Sequence, residues 1–232
     1  MTRNVVVTKV ERCADEVIAG LGQAGVATVH EAIGKRGLLE SSIAPIQQGS
    51  AIAGSAVTVL SAPGDNMMVH AAVEQVESGD ILVVATTSPS TDGMVGELIA
   101  VSLTKRGCRG LILGAGVRDV AALRAMGFPV WSQAVHAQGT EKRTPGSVNV
   151  PIVIGGVAVR PGDVVVADDD GVVVVEREQA GGVLTAALAR IEKEAVTRAR
   201  LAAGELGLDL YGLRERLANE GVEWVDGPDS GE

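Results

Sequence analysis

The spacing of apolar and polar positions changes period several times along the chain, and each change marks an element. From Val10 to Leu21 apolar residues recur at helical spacing, and the run closes near Gly22 and Gly25, which predicts a first helix. Ala51 to Leu60 alternates apolar with small residues, as a strand does. Pro63-Gly64-Asp65-Asn66 then precedes a helical pattern from Met67 to Glu77, where Asp65 or Asn66 can cap the first free amides and Gly79-Asp80 ends the run. Ile81 to Ala85 reads as a short buried strand, and the polar stretch Thr86 to Gly96 as a loop. Helical spacing returns over Glu97 to Lys105. Leu111 to Leu113 is a second buried strand. After it, Gly114-Ala115-Gly116 is expected to turn the chain tightly into a helix over Val120 to Met126, stopped by Gly127 and Pro129. Strand, loop and helix in repetition is the rhythm of parallel βαβ units.

Beyond Val150 the period shortens. Strands are expected at Ile152–Val159, Val164–Ala167 and Val172–Glu176, with turns at Arg160-Pro161-Gly162-Asp163 and Asp168-Asp169-Asp170-Gly171. Charges then alternate over an apolar stripe from Glu178 to Ala203, which predicts a long helix, and Asp209 to Ala218 predicts a shorter one. The polar tail Gly-Pro-Asp-Ser-Gly-Glu at the end is expected to be disordered.

Composition narrows the class. The 232 residues suffice for one large domain, and hydrophobic residues reach 46% while Phe, Tyr and Trp supply only 2%, so the core must be aliphatic and finely packed. Val-rich strands of an α/β protein meet that need. A formal net charge of −9 repels phosphate backbones and acidic lipid, so neither nucleic acid nor a membrane surface is an expected partner. The longest uncharged stretch, Thr144 to Val159, holds two prolines and three glycines and does not read as a membrane span. The charged opening residues lack the apolar run of a signal peptide, and Cys13 and Cys108 stand far apart. A reducing cytoplasm fits both.

Candidate chemistry gathers in two loops at the carboxyl ends of the predicted parallel strands, where helix amino termini present free N–H groups. One ends in Thr91-Asp92-Gly93-Met94-Val95-Gly96-Glu97-Leu98; the other is Gly114-Ala115-Gly116-Val117-Arg118-Asp119. A substrate carboxylate can lie on the amides around Met94 to Leu98 while Arg118 and Asp119 stand opposite, a set that suits metal-assisted enolate chemistry. Taken alone, Asp119 reads as a helix cap and Arg118 as a surface or ion-pair residue. Asp168-Asp169-Asp170 resembles a metal cluster but sits between Val runs and ends in Gly, so it reads as a hairpin turn. His30, His70 and His136 are read as structural, although His70 stands four residues after Asn66 on a helix. The Gly114-x-Gly116 pair lacks the remaining glycine of a dinucleotide fingerprint, and no serine lies in a nucleophile elbow.

Gly96-Glu97, twenty intervening residues and then Arg118-Asp119 form a fingerprint, accompanied by PGDN at Pro63, GAGVRD at Gly114, GSVNVP at Gly146 and ADDDGV at Ala167. On these residues the chain resembles the class II pyruvate aldolases that split 4-hydroxy-4-methyl-2-oxoglutarate and 4-carboxy-4-hydroxy-2-oxoadipate, relatives of the regulator of ribonuclease activity A proteins. The stretch Leu201 to Leu217 resembles the carboxyl-terminal extension of the aldolases, which the shorter regulators lack. The resemblance implies an αββα sandwich with mixed sheets, a catalytic domain over residues 1–177, and a helical extension over 178–232 packed on a neighbouring subunit of a trimer or hexamer. It implies a small 2-oxo acid substrate and Mg²⁺ or Mn²⁺ held by Asp119, with Arg118 stabilising the pyruvate enolate. Gly96, Glu97 and Leu98 would receive the substrate, Asn66 and Lys142 would hold its distal carboxylate, and Glu194 would reach the metal's water shell in a neighbouring subunit. Glu97 occupies a position where the family often carries Asp. Oxaloacetate decarboxylation is the implied second activity, aromatic-acid degradation the implied setting, and a non-catalytic regulator of ribonuclease E the alternative function.

Overall fold

Alternation along the Val-rich strands sorts their side chains into three cores, and those cores define the layers of the molecule. The computed structural model describes residues 4–225 and residue 227. In chain order the elements are α1 (Asp15–Ala32), β1 (Ala44–Pro45), β2 (Ile52–Ser61), α2 (Met67–Val73), β3 (Ile81–Thr86), β4 (Gly93–Val95), α3 (Glu97–Lys105), β5 (Gly110–Val117), α4 (Val120–Met126), β6 (Val130–Val135), β7 (Ser147–Val148), β8 (Ile152–Ile154), β9 (Val157–Val159), β10 (Val164–Asp168), β11 (Gly171–Val175), α5 (Ala180–Ala202), α6 (Gly207–Leu210) and α7 (Leu213–Asn219). The main sheet runs β1-β6-β5-β3-β2-β10-β11, with β4 beside β5 and β7 beside β2; β8 and β9 form a separate hairpin.

One set of strand positions, including Leu82, Val84, Leu111 and Leu113, packs in a core with residues of α2, α3 and α4. The alternate set, Ile81, Val83, Ala85 and Ile112, meets Trp131 and the inward residues Val165, Ala167, Val172 and Val174 of β10 and β11. The outward residues of those two strands, Val164, Val166, Val173 and Val175, pack with Ile18, Leu21 and Val29 of α1 and with Ala180 and Val183 at the start of α5. The order of layers is therefore α, β, β, α. Both faces of β10 are buried, so a one-residue slip would exchange the two cores' partners and mispack both.

β2 joins the two sheet layers. Residues 52–55 pair antiparallel with β10, while residues 56–61 pair parallel with β3. From the other side, Leu38 bridges to Val173 of β11 and Ala44–Pro45 pairs with β6, so a single segment spans the two sheet ends and the mixed sheet is nearly closed. β2, β3, β5 and β6 pair in parallel, as the βαβ rhythm requires.

Several boundaries differ from the sequence expectation, each for a tertiary reason. The first helix starts at Asp15 rather than Val10, and Arg12 before it makes two 2.8 Å bonds to the buried Asp80 carboxylate. It also continues past Gly22 through a kink at Gly25, whose φ of 77° interrupts the helix, and Asp168 Oδ2 accepts the Val26 N–H at 2.8 Å to cap the restart. α2 stops at Val73 rather than Glu77, and the Glu77 N–H instead bonds Asp80 Oδ2 at 2.8 Å. The segment Ile152–Val159 is a hairpin over Gly155-Gly156, both with positive φ, rather than one strand. Gly114-Ala115-Gly116 stays within β5; the turn falls later, at Arg118-Asp119. β4 lies inside the stretch expected to be a loop, and β6 was not foreseen.

Two compact units divide the chain, Met1–Leu188 and Ala189–Glu232. In the second, α6 and α7 bury no residue. No helix among the described residues is long and apolar enough to cross a membrane. Of the tail expected to be disordered, residues 228–232 lie outside the described residues.

Candidate active site

Asp65 organises the corner between β2 and α2. Only 3% exposed, it accepts the Met67 N–H at 2.9 Å through Oδ1, and the Arg143 and Thr144 N–H groups at 2.7 and 2.8 Å through Oδ2. Burial pushes this carboxyl's pKa up, but the backbone N–H bonds outweigh it and the pKa is lowered. Two backbone bonds complete the clasp, Asn66 N–H to Glu141 O at 3.0 Å and Glu141 N–H to Gly64 O at 2.9 Å. The clasp fixes residues 141–144 and with them Lys142. Asp65, not Asn66, serves the start of α2; the Asn66 side chain donates from Nδ2 to Met94 O at 2.9 Å.

The second part is the meeting of β4 and α3 with the end of β5. Glycines allow it: a Cβ on Gly116 would lie 2.0 Å from Thr91 O, one on Gly93 2.4 Å from His136 O, and one on Gly96 2.2 Å from Asp119 Oδ2. At Gly116 and Gly93 the obstacle is main chain and no side chain fits; at Gly96 it is the Asp119 carboxylate, which would have to move. Asp119 has φ 58°, in the left-handed region, and makes no side-chain cap to α4. Its Oδ2 instead accepts the Glu97 N–H at 3.1 Å, so it caps the neighbouring helix α3. Arg118 Nε lies 3.9 Å from the same oxygen, and both side chains are close to half exposed.

Asn66, His70, Gly96, Leu98, Arg118, Asp119 and Lys142 line one cleft of about 140 Å³, floored further by Met94 and Ile99. Six residues singled out from the sequence thus come together. His70, which the four-residue step from Asn66 along a helix allows to face the pocket but which the sequence reading leaves off the site, lines the cleft with them. Partial burial, and then the charge of Lys142, lower its pKa. Glu97 is exposed in the first turn of α3, where its N–H rather than its carboxylate touches Asp119. Glu194 lies in the second unit, paired with Arg190 at 2.8 Å, and borders a different cavity of about 440 Å³. Among the described residues no three His, Cys, Asp or Glu side chains cluster as a metal site. A cation in the cleft would have Asp119, whose bonds to the protein involve Oδ2 only, as its carboxylate ligand.

Arranged this way, the cleft sets a guanidinium and a half-free carboxylate beside the amino end of α3, whose first amides lack helical partners. It can bind an organic anion and stabilise charge that develops on an oxygen. The family model described as RraA-like, Aldolase/RraA, matches residues 26–174, and the chain belongs to that family. A protein of Halalkalibacterium halodurans named "Putative 4-hydroxy-4-methyl-2-oxoglutarate aldolase" is 34% identical over 146 residues, covering 63% of this chain and 70% of its own. One of the same name from Burkholderia multivorans is 34% identical over 143 residues, covering 62% and 87%. Among solved structures, Streptomyces coelicolor RraAS2, described as an unusual member of the RNase ES inhibitor RraA family, superposes with a TM-score of 0.73 at 28% identity, over 82% of this chain and 100% of that one.

Proposed function

We propose that this chain is a divalent-metal-dependent aldolase that splits 4-hydroxy-4-methyl-2-oxoglutarate or 4-carboxy-4-hydroxy-2-oxoadipate into pyruvate plus pyruvate or oxaloacetate, with oxaloacetate decarboxylation as a second activity. The observation that carries it is the meeting of Arg118, Asp119 and the amino end of α3 in one cleft with Lys142. In the cleavage, the C4 hydroxyl gives up its proton, the C3–C4 bond breaks, and the electron pair moves onto C3 and the C2 oxygen as pyruvate enolate. Arg118 donates hydrogen bonds to that oxygen, which strengthen as charge develops. The substrate's C1 carboxylate rests on the amides at Gly96, Glu97 and Leu98. Asn66 and Lys142 hold the distal end, and a water oriented by Glu97, and by Glu194 of a neighbouring subunit, returns a proton to C3. Loss of CO₂ from oxaloacetate releases the same enolate.

The donor set fits Mg²⁺ or Mn²⁺. Such ions commonly take one or two carboxylates and leave their other positions to water and substrate oxygens, and Asp119 offers one oxygen that makes no bond among the described residues. When bound, the ion would supply Lewis-acid polarisation of the 2-oxo acid. Leu98 is 82% exposed beside the cleft and no residue of α6 or α7 is buried, surfaces that a trimer or hexamer with the extension over 178–232 packed on a neighbour would cover. A cytoplasmic location and a role in aromatic-acid breakdown belong to the same proposal. Pyruvate release from the two hydroxy-oxo acids and from oxaloacetate, with either metal and with chelator, tests it. Turnover indifferent to chelator, or none on any of the three, overturns it. Stoichiometric inhibition of ribonuclease E without pyruvate release would favour the regulator instead.

A further inference from the structure

We infer that Asn66 reads the hydroxyl group of the substrate, and so separates aldol cleavage from decarboxylation in the same cleft. The inference rests on the aldolase reading but departs from it at one atom. Asn66 is 6% exposed, and its Nδ2 donates to the main-chain oxygen of Met94 at 2.9 Å. A carbonyl only accepts, so this bond fixes which way the amide faces; turned over, the side chain would set two oxygens against each other. Fixed in this way, Oδ1 is buried and meets no donor among the described residues. His70 and Lys142 line the same cleft, yet neither makes a hydrogen bond to it.

A buried acceptor in that state is completed only by a group that carries a hydrogen. A carboxylate brings acceptors alone, so the distal carboxylate cannot be the partner of Oδ1. It suits the Lys142 ammonium and the second N–H of Asn66. A hydroxyl does suit Oδ1, and C4 of a 4-hydroxy-2-oxo diacid carries a hydroxyl and a carboxylate on one carbon. The pair Asn66 and Lys142 is therefore matched to a hydroxy-carboxylate end, with the hydroxyl donating to Oδ1. Oxaloacetate carries no hydroxyl; its C4 is the carboxylate that leaves as CO₂, which offers Oδ1 no hydrogen. An amide oxygen is too weak a base to keep the proton, so Asn66 positions the hydroxyl and selects for it without acting as the base.

The test compares wild type with Asn66→Ala on 4-hydroxy-4-methyl-2-oxoglutarate and on oxaloacetate, each with Mg²⁺. Cleavage kcat/KM should fall about 10- to 100-fold, as when a site loses its partner for a substrate hydroxyl. Decarboxylation should fall less, by the loss of the Asn66 N–H to the carboxylate alone, so the ratio of cleavage to decarboxylation should drop about tenfold. Parallel losses in a variant with native circular dichroism overturn the inference while leaving the lyase reading intact. If the variant does not fold, wild type alone decides. As competitive inhibitors of decarboxylation, 4-methyl-2-oxoglutarate should bind about tenfold more weakly than its 4-hydroxy counterpart, and equal binding overturns the assignment. A wild type that releases pyruvate from neither substrate removes the lyase reading and this inference together.

Discussion

Two aspartate-bearing turns of this protein behave in opposite ways, and the one with fewer carboxylates is the candidate site. At the β10–β11 turn, three consecutive aspartates suggest a cation site, but the backbone has taken the oxygens of two of them, and the third, Asp170, stands exposed. Asp168 accepts the Val26 and Asp170 N–H groups with its two oxygens, and both oxygens of Asp169 accept the Gly49 N–H at 2.9 and 3.0 Å. At the β5–α4 turn a single aspartate, Asp119, bonds the protein through one oxygen, in a left-handed backbone beside an arginine. What marks a candidate site is unused carboxylate capacity inside a cleft and beside an arginine, not the number of carboxylates.

The widest separation between the two turns should come from Arg118→Ala. If the residue stabilises the enolate oxygen, turnover falls about 10²–10³-fold, or ~2.7–4 kcal/mol of transition-state stabilisation, while metal affinity by calorimetry and thermal stability hold. Arg118→Lys should restore little, because an ammonium lacks the planar fork. An alanine variant that turns over like wild type breaks the contrast.

Asp65→Ala asks whether a carboxylate fully used by the backbone can still govern the site. It strands three N–H groups, those of Met67, Arg143 and Thr144. A loss of about 3 kcal/mol in denaturant unfolding is expected, together with a raised KM as the loop that carries Lys142 loosens. The pH profile has a definite sign. The folded-state pKa is lowered, so this contribution is present above the ordinary aspartate value, about 3.9, and is lost as pH falls through the lower folded value. Unfolding curves for wild type and variant should converge in acid, and a constant gap down to the acid transition would contradict the assignment.

A smaller effect on activity should follow Gly96→Ala. The backbone at Gly96 is extended, φ −143°, so alanine brings no conformational strain, but its Cβ would lie 2.2 Å from Asp119 Oδ2. Asp119 must move, and turnover should drop about tenfold, as sub-ångström misplacement of reacting groups allows, with little change in melting temperature. Unchanged metal affinity and unchanged turnover together would show that Asp119 is not held in a working position.

Much of this contrast was legible in the chain. The helices Glu97–Lys105 and Val120–Met126 follow from periodicity to the residue, because their apolar stripes face a local βαβ core. The layer order came from resemblance rather than from periodicity. Spacing alone could not show that Asp119 would cap α3 instead of its own helix, since that bond joins residues 22 apart in sequence. Nor could it extend the first helix past Gly25, where the cap comes from Asp168, 142 residues beyond Val26. The cleft that His70 lines is closed by Lys142, whose loop Asp65 holds through main-chain N–H groups that no side-chain pattern records.

The smallest effect belongs to the turn with the most charge. Asp168→Ala removes the cap from the second half of α1 and a bond within the turn, while the Trp131 Nε1 donation to Asp168 O at 2.8 Å survives because it uses the main chain. The β10–β11 pairing does not depend on the side chain either, since Val164–Ala167 are zipped to 172–175 by backbone bonds. Stability should therefore fall by about 1 kcal/mol, the usual effect of losing a helix cap, and kcat, KM and metal affinity should match wild type. If the variant instead loses metal or activity, the aspartate-rich turn has a part in the chemistry, and unused carboxylate capacity is the wrong criterion for finding the site.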